Sequence, residues 1–163
     1  MTRPTPAEAR KAIADIIGRS TAEALGLKES LEAERSALEK QDADALQEVV
    51  VSKNDCAEKL QALDLQRSAL CESWGFAAGP EQMDAVIDWC DEDKLVDHGW
   101  SRLMQLAADG NQLNLTNGAI IRLRQQQFET SISLLRGVTP GSDTYGRNGV
   151  ESGDPSRRSL AEA

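Results

Sequence analysis

A chain of 163 residues carrying 18 Lys and Arg against 27 Asp and Glu, a formal charge of −9, has room for one domain with a modest core. Helix formers dominate, and one Tyr, two Phe and three Trp are too few for an aromatic-rich β platform. The acidic balance, without any basic stripe, argues against a nucleic-acid partner, whose phosphates call for Lys and Arg.

No apolar run is long enough to span a bilayer and no charged-then-apolar leader opens the chain, so a cytoplasmic protein without membrane insertion is expected. Thr5-Pro6-Ala7-Glu8 reads as a helix start, with Thr5 as N-cap, Pro6 at the first helical position and Glu8 placed for a capping box. The helix that follows runs to about Lys40. Its inner residues Ile13, Ile17, Ser20, Ala24, Leu27, Leu31 and Leu38 step by four and three, and Glu34 is the one charged break.

Asp42 or Asp44 can cap a second helix. Its seam is Leu46, Val49, Lys53, Cys56, Leu60, Leu63, Arg67, Leu70 and Trp74, a regular heptad pattern interrupted by two cations. Lys53 and Arg67 either snorkel past the seam or pair with a Glu of the first helix, for example Glu32 or Glu34; the expectation is that they tune orientation and carry no chemistry, since such charges in helical hairpins are usually solvated. The two helices together predict a long antiparallel hairpin. Cys56, Cys71 and Cys90 are odd in number, sit in helical patterns and lack C-x-x-C spacing, so reduced, buried thiols are expected in place of a disulfide or metal site.

Gly75 to Pro80 interrupts the pattern, with Gly75 positioned to end a helix. A short amphipathic segment follows, with Met83, Val86, Ile87 and Trp89 on its apolar side, and then the acids Asp88, Asp91, Glu92, Asp93 and Asp97. These lack the alternating ligands, fixed Gly and distal Glu of a calcium loop, and are expected to favour the start of a helix near Lys94. His98, the only histidine, has no companion at metal-ligand spacing, and no serine has a companion histidine in a nucleophile motif. Neither a catalytic residue, a metal site nor a cofactor is expected.

The last long helix is expected from about Asp93 to Arg136, with Gly137 as its stop. Residues 110–136 carry three basic and one acidic side chain, the only net-basic piece of the chain. Leu106, Leu113, Ile120, Ile121, Phe128, Ile132 and Leu135 share one side if the helix passes through Asn117-Gly118, ordinarily a turn signal. Gly118 costs a helix roughly 1 kcal/mol relative to Ala. An Asn on such a face either fixes helix register, as a core Asn does in a coiled coil, or contacts a partner's backbone. Residues 137–163 are rich in Gly, Ser, Asp and Arg and are expected to be disordered.

The expected fold is all-α: a long antiparallel helical hairpin, a short connector helix and a long third helix in a coiled-coil-like bundle. The helical domain is expected over 1–137 and a flexible tail over 138–163.

Leu113-Asn114-x-x-Asn117-Gly118, the helix through Leu134-Leu135, and Tyr145-Gly146-x-x-Gly149 resemble the pattern of the FlgN-type flagellar export chaperones. Glu34, Leu38, Asp42, Leu46, Lys53, Leu60, Leu63, Arg67 and Leu70 resemble that family's paired helices, and the chain departs from it in a longer connector, Gly75 to Asp93. The resemblance implies a cytoplasmic, non-enzymatic chaperone that holds hook-filament junction (hook-associated) proteins, through their C-terminal helical segments, before type III export. It makes Leu113, Asn114, Asn117, Ile120, Ile121, Phe128 and Leu135 client-binding candidates, and Tyr145 a candidate for docking on the export gate. Two alternatives have different signatures. A coiled-coil adaptor would bury the Asn-bearing face in a homo-oligomer; a carboxylate metalloenzyme would need paired Glu-x-x-His spacing, which the chain lacks.

Overall fold

A computed structural model describes residues 3–136, which form four helices: α1 (Pro6–Lys40), α2 (Ala43–Ser73), α3 (Gln82–Cys90) and α4 (Leu95–Leu135). The expected all-α architecture is observed, with no strand among the described residues. The chain divides into two compact units, Met1–Ile121 and Arg122–Ala163.

In the first unit each helix start has its own local cause. Thr5 Oγ1 accepts from the Glu8 amide at 3.4 Å while Glu8 Oε2 accepts from the Thr5 amide at 2.9 Å, closing the expected capping box ahead of Pro6. These hydrogen bonds hold the Glu8 carboxyl below its usual pKa. At the other end of α1, Gln41 takes the left-handed conformation (φ 59°), and its amide closes on Ala37 O and Leu38 O. Asp42 then caps α2 by accepting from the Ala45 amide at 3.0 Å. Only these two residues link the helices, so α1 and α2 must run antiparallel.

The seam of the hairpin lies where the heptads placed it. Ile13, Ile17, Ser20, Ala24, Leu31, Glu34 and Leu38 are buried on α1, and Cys56, Leu63 and Cys71 on α2, with Leu46, Val49, Leu60 and Leu70 half-buried beside them. Gly75, at φ 92°, ends α2, a conformation that a Cβ would strain. The chain then brings α3 against the open end of the hairpin, where Ala9, Ile13, Ile17, Cys71, Trp74, Met83, Val86, Cys90 and Val96 make one cluster. Trp74 and Phe76 each meet Trp89 in tilted geometry, and the Arg3 guanidinium lies over Phe76 and Trp89 at 4.8 and 4.2 Å from their ring centres. All three cysteines are buried and unbridged, and burial pushes each thiol pKa up.

The acidic connector acts structurally. Asp91 Oδ2 accepts from the Asp97 amide at 2.8 Å, capping the first turn of α4, and Asp93 pairs with Arg10 of α1 at 2.6 Å. Among the described residues no group of His, Cys, Asp or Glu is arranged to hold a metal ion, and no helix is long and apolar enough to cross a membrane. α4 passes through Asn117-Gly118 without interruption. In the second unit, the described residues are the last turns of this helix and Arg136.

Candidate functional site

Two kinds of surface compete for the functional role: a polar junction buried inside the first unit, and apolar surfaces left open.

The junction begins with Glu34, the charged break in the α1 seam, which is 2% exposed. Its Oε1 accepts from Lys53 Nζ of α2 at 2.5 Å, and its Oε2 accepts from Asn117 Nδ2 of α4 at 2.8 Å. The same Nδ2 donates to the Leu31 carbonyl at 2.9 Å. One carboxylate therefore ties three helices together, with both oxygens satisfied by donors. Asn117 Oδ1 is buried without a partner. Exchanging the amide's N and O would set oxygen against two acceptors, so the donors fix its orientation. A single arrangement of α4 on α1 satisfies these bonds, the register role that a core Asn can play.

Lys53 thus makes one of the two pairings open to it, with Glu34. Neither seam cation is free in solvent, the premise on which an orienting role was expected: the Lys53 side chain is 21% exposed and that of Arg67 is 14%. Arg67 does not reach an α1 carboxylate. Its guanidinium donates to Asp64 Oδ1 at 2.8 Å and Gln82 Oε1 at 3.1 Å, and sits 5.2 Å from the centre of the Trp100 ring. The intervening α3 residue Gln82 and the aromatic on α4 supply what no spacing along α2 could reveal.

α4 approaches α1 at two glycines. A Cβ on Gly99 would lie 3.2 Å from Ile17 Cγ2, and one on Gly110 would lie 3.8 Å from Leu31 Cδ1. With α2 packed on another side of α1, a groove of about 550 Å³ stays open along the three helices. α1 contributes Ile17 to Leu31, α2 Lys53 to Arg67, and α4 Trp100 to Asn114. Leu27, Leu31, Leu60, Leu103 and Leu106 make it apolar, and Ser20, Asn54, Gln61, Asn111 and Asn114 are its uncharged polar members. The sequence reading missed this groove. The α1 and α2 seams were visible, but the approach of α4 to α1 is set at Gly99 and Gly110, whose meaning depends on the neighbour they meet.

The client-binding candidates fall into different environments. Leu113, Ile120 and Ile121 are half-buried in the first unit, and Asn114 is exposed at the groove. Asn117 is 1% exposed with its side chain committed to α1, so it does not present a contact to a partner, and the structure gives it the register role instead. In the second unit Phe128 is 68% and Leu135 84% exposed, with Leu123 and Leu134 exposed as well. Tyr145 lies outside the described residues.

The family model described as FlgN protein matches residues 11–153. No curated protein and no solved structure matches the chain.

Proposed function

The chain belongs to the FlgN family, which points to a flagellar export chaperone, and on that premise we propose that it holds hook-filament junction proteins and delivers them to the export gate. The observation that carries the client-binding part is the apolar stripe of the second unit. Phe128 and Leu135 are large, apolar and open to solvent, although burying such a side chain is worth roughly 1.5–3 kcal/mol. Spaced seven apart on a helix, they suit the apolar face of an amphipathic segment, the mode by which a helix is captured along a strip of i, i+3, i+4 and i+7 anchors.

The chemistry required is modest. A client's C-terminal helical segment covers the stripe, its own aggregation-prone face is shielded, and release needs no bond to break. Leu113, Asn114, Ile120 and Ile121 extend the client surface in this reading, and Asn117 supports it from beneath by fixing α4. Tyr145 is the proposed gate anchor.

Calorimetric titration of the full chain with the C-terminal segment of a hook-filament junction protein tests the reading. Binding by the wild type, unchanged binding by Tyr145→Ala, and loss of export of the junction protein in cells carrying Tyr145→Ala are the expected results. No binding to such a segment would refute the client assignment, and normal export by Tyr145→Ala would remove the gate assignment.

A further inference from the structure

We propose that the aromatic pair Phe76 and Trp89, in the first unit, is a docking seat for an arginine-bearing segment of a basic partner protein, and that the chain's own Arg3 is the residue such a segment displaces. The seat shares no residue with the client surface proposed above, and the two readings stand or fall separately.

The seat has two walls. The Phe76 and Trp89 rings lie 5.5 Å apart between centres at an interplanar angle of 50°, and both are half-buried. The Arg3 guanidinium lies over both, 4.8 Å from the centre of Phe76 and 4.2 Å from that of Trp89. Both distances fall inside the roughly 6 Å within which a cation is attracted to the negative face of a ring. Trp74, itself buried, meets Trp89 at 6.4 Å and ties that wall to the core. The pair is therefore a rigid wedge that already accepts a guanidinium.

The present occupant is held lightly. Arg3 precedes the Thr5 cap, so no helix fixes it, and it is exposed. Among the described residues it makes no ion pair. Ring contacts of an exposed cation are individually weak, so a second arginine can take its place.

Charge selects what comes. From Phe76 to Asp93 the chain carries Glu81, Asp84, Asp88, Asp91, Glu92 and Asp93 and no Lys or Arg. Asp91 is used in capping α4 and Asp93 in pairing with Arg10. The other four are exposed and, among the described residues, have no cationic partner. Asp88 is next to Trp89 in the chain, and Glu81 is the one charged member of a recess of about 290 Å³ that Phe76 also lines. Such a surface repels an acidic or phosphorylated segment and attracts a basic one. Between the two basic side chains the rings favour arginine, whose weakly hydrated plane stacks on an aromatic face, over lysine, whose compact ammonium holds its water.

Fluorescence anisotropy of a labelled, capped Gly-Arg repeat peptide, titrated with the full chain, tests the proposal, with thermal melts by circular dichroism confirming that each variant is folded. Saturable binding is expected, tighter than that of the Gly-Lys counterpart and weakened by added salt. Trp89→Leu keeps an apolar side chain against the core and removes a ring face, and is expected to lower affinity at least about threefold. Asp88→Asn is expected to lower both the affinity and its salt dependence. Arg3→Ala empties the seat beforehand, and is expected to raise affinity at least about threefold. Absence of saturable binding by both the wild type and Arg3→Ala would overturn the proposal. So would equal binding of the two peptides left unchanged by Trp89→Leu, which would reduce the surface to charge alone. An Arg3→Ala chain that melts at a lower temperature without gaining affinity would overturn it too, making Arg3 a structural pin only. A wild type whose mass doubles in sedimentation equilibrium, and returns to the monomer in Arg3→Ala, would give the seat to a second copy's arm and remove the partner assignment.

Discussion

α4 contains two stretches with the same apolar spacing and opposite surroundings. From Leu95 to Ile121 the helix buries Val96, Leu103, Gly110 and Asn117; from Arg122 to Leu135 it buries none of its residues. The first stretch carries what a close neighbour requires: two glycines that let α1 approach, and an amide bonded to that helix's carbonyl and carboxylate. The second carries glutamines, threonine and serines around Phe128, Ile132 and Leu135. Periodicity says which residues share a face, and the small and hydrogen-bonding residues between them mark where α1 packs against it.

The contrast breaks most severely at Glu34. Glu34→Ala leaves the Lys53 ammonium without its partner and removes an acceptor from the buried Asn117 amide, so a loss of about 3–5 kcal/mol in urea unfolding is expected. Asn117→Ala removes donors to two buried acceptors, for an expected loss of about 1–3 kcal/mol. The two changes touch one network, so the double variant should lose less than the sum, a non-additivity read directly from a double-mutant cycle.

The glycines sharpen the contrast at smaller scale. Gly110→Ala places a methyl at ordinary contact distance from Leu31 and gains helix propensity, so unfolding should become harder by up to about 1 kcal/mol. Gly99→Ala meets Ile17, itself buried, at 3.2 Å, and that crowding should cancel the gain. Equal stabilisation by both would show that α4 does not press on α1 at Gly99.

The smallest effects concern pH. Burial raises the Cys71 and Cys90 thiols above their ordinary value of 9.0, so the folded state resists ionisation that the unfolded chain undergoes. Their contribution is fully present below pH 9.0 and is lost as pH rises through and above it; native-state alkylation by iodoacetamide should be slow at neutral pH and fast in urea. Glu8 has the opposite sign. Its folded pKa is depressed, so the capping box helps above the ordinary carboxyl value of 4.5 and is lost as pH falls through the folded value. Replacing Glu8 with Gln should flatten the acid limb of a thermal-melt profile slightly.

Much of this was legible in the sequence, and the reasons differ by element. Thr5-Pro6-x-Glu8 and Asp42 are local signals whose partners lie within three residues, so the caps could be placed from the chain alone. The α1 and α2 seams repeat regularly over many turns. Lys53 had two carboxylates within reach, Glu32 and Glu34, and only packing chose the second. The partners of Arg67 on α3 and α4, the capping of α4 by Asp91, and the open groove all depend on how distant helices meet, for which spacing along one helix carries no signal. Asn117 was legible as an anomaly, and its two possible meanings were separated only by the bond to Glu34.

The division of α4 into a stretch that holds the fold and a stretch that meets a partner is tested most directly on one variant, Phe128→Asp. Its unfolding free energy and its calorimetric affinity for a hook-filament junction C-terminal segment should be measured side by side. Stability within about 0.5 kcal/mol of wild type, as for an exposed position, is expected together with affinity reduced at least about tenfold. Lost stability with retained affinity would contradict it.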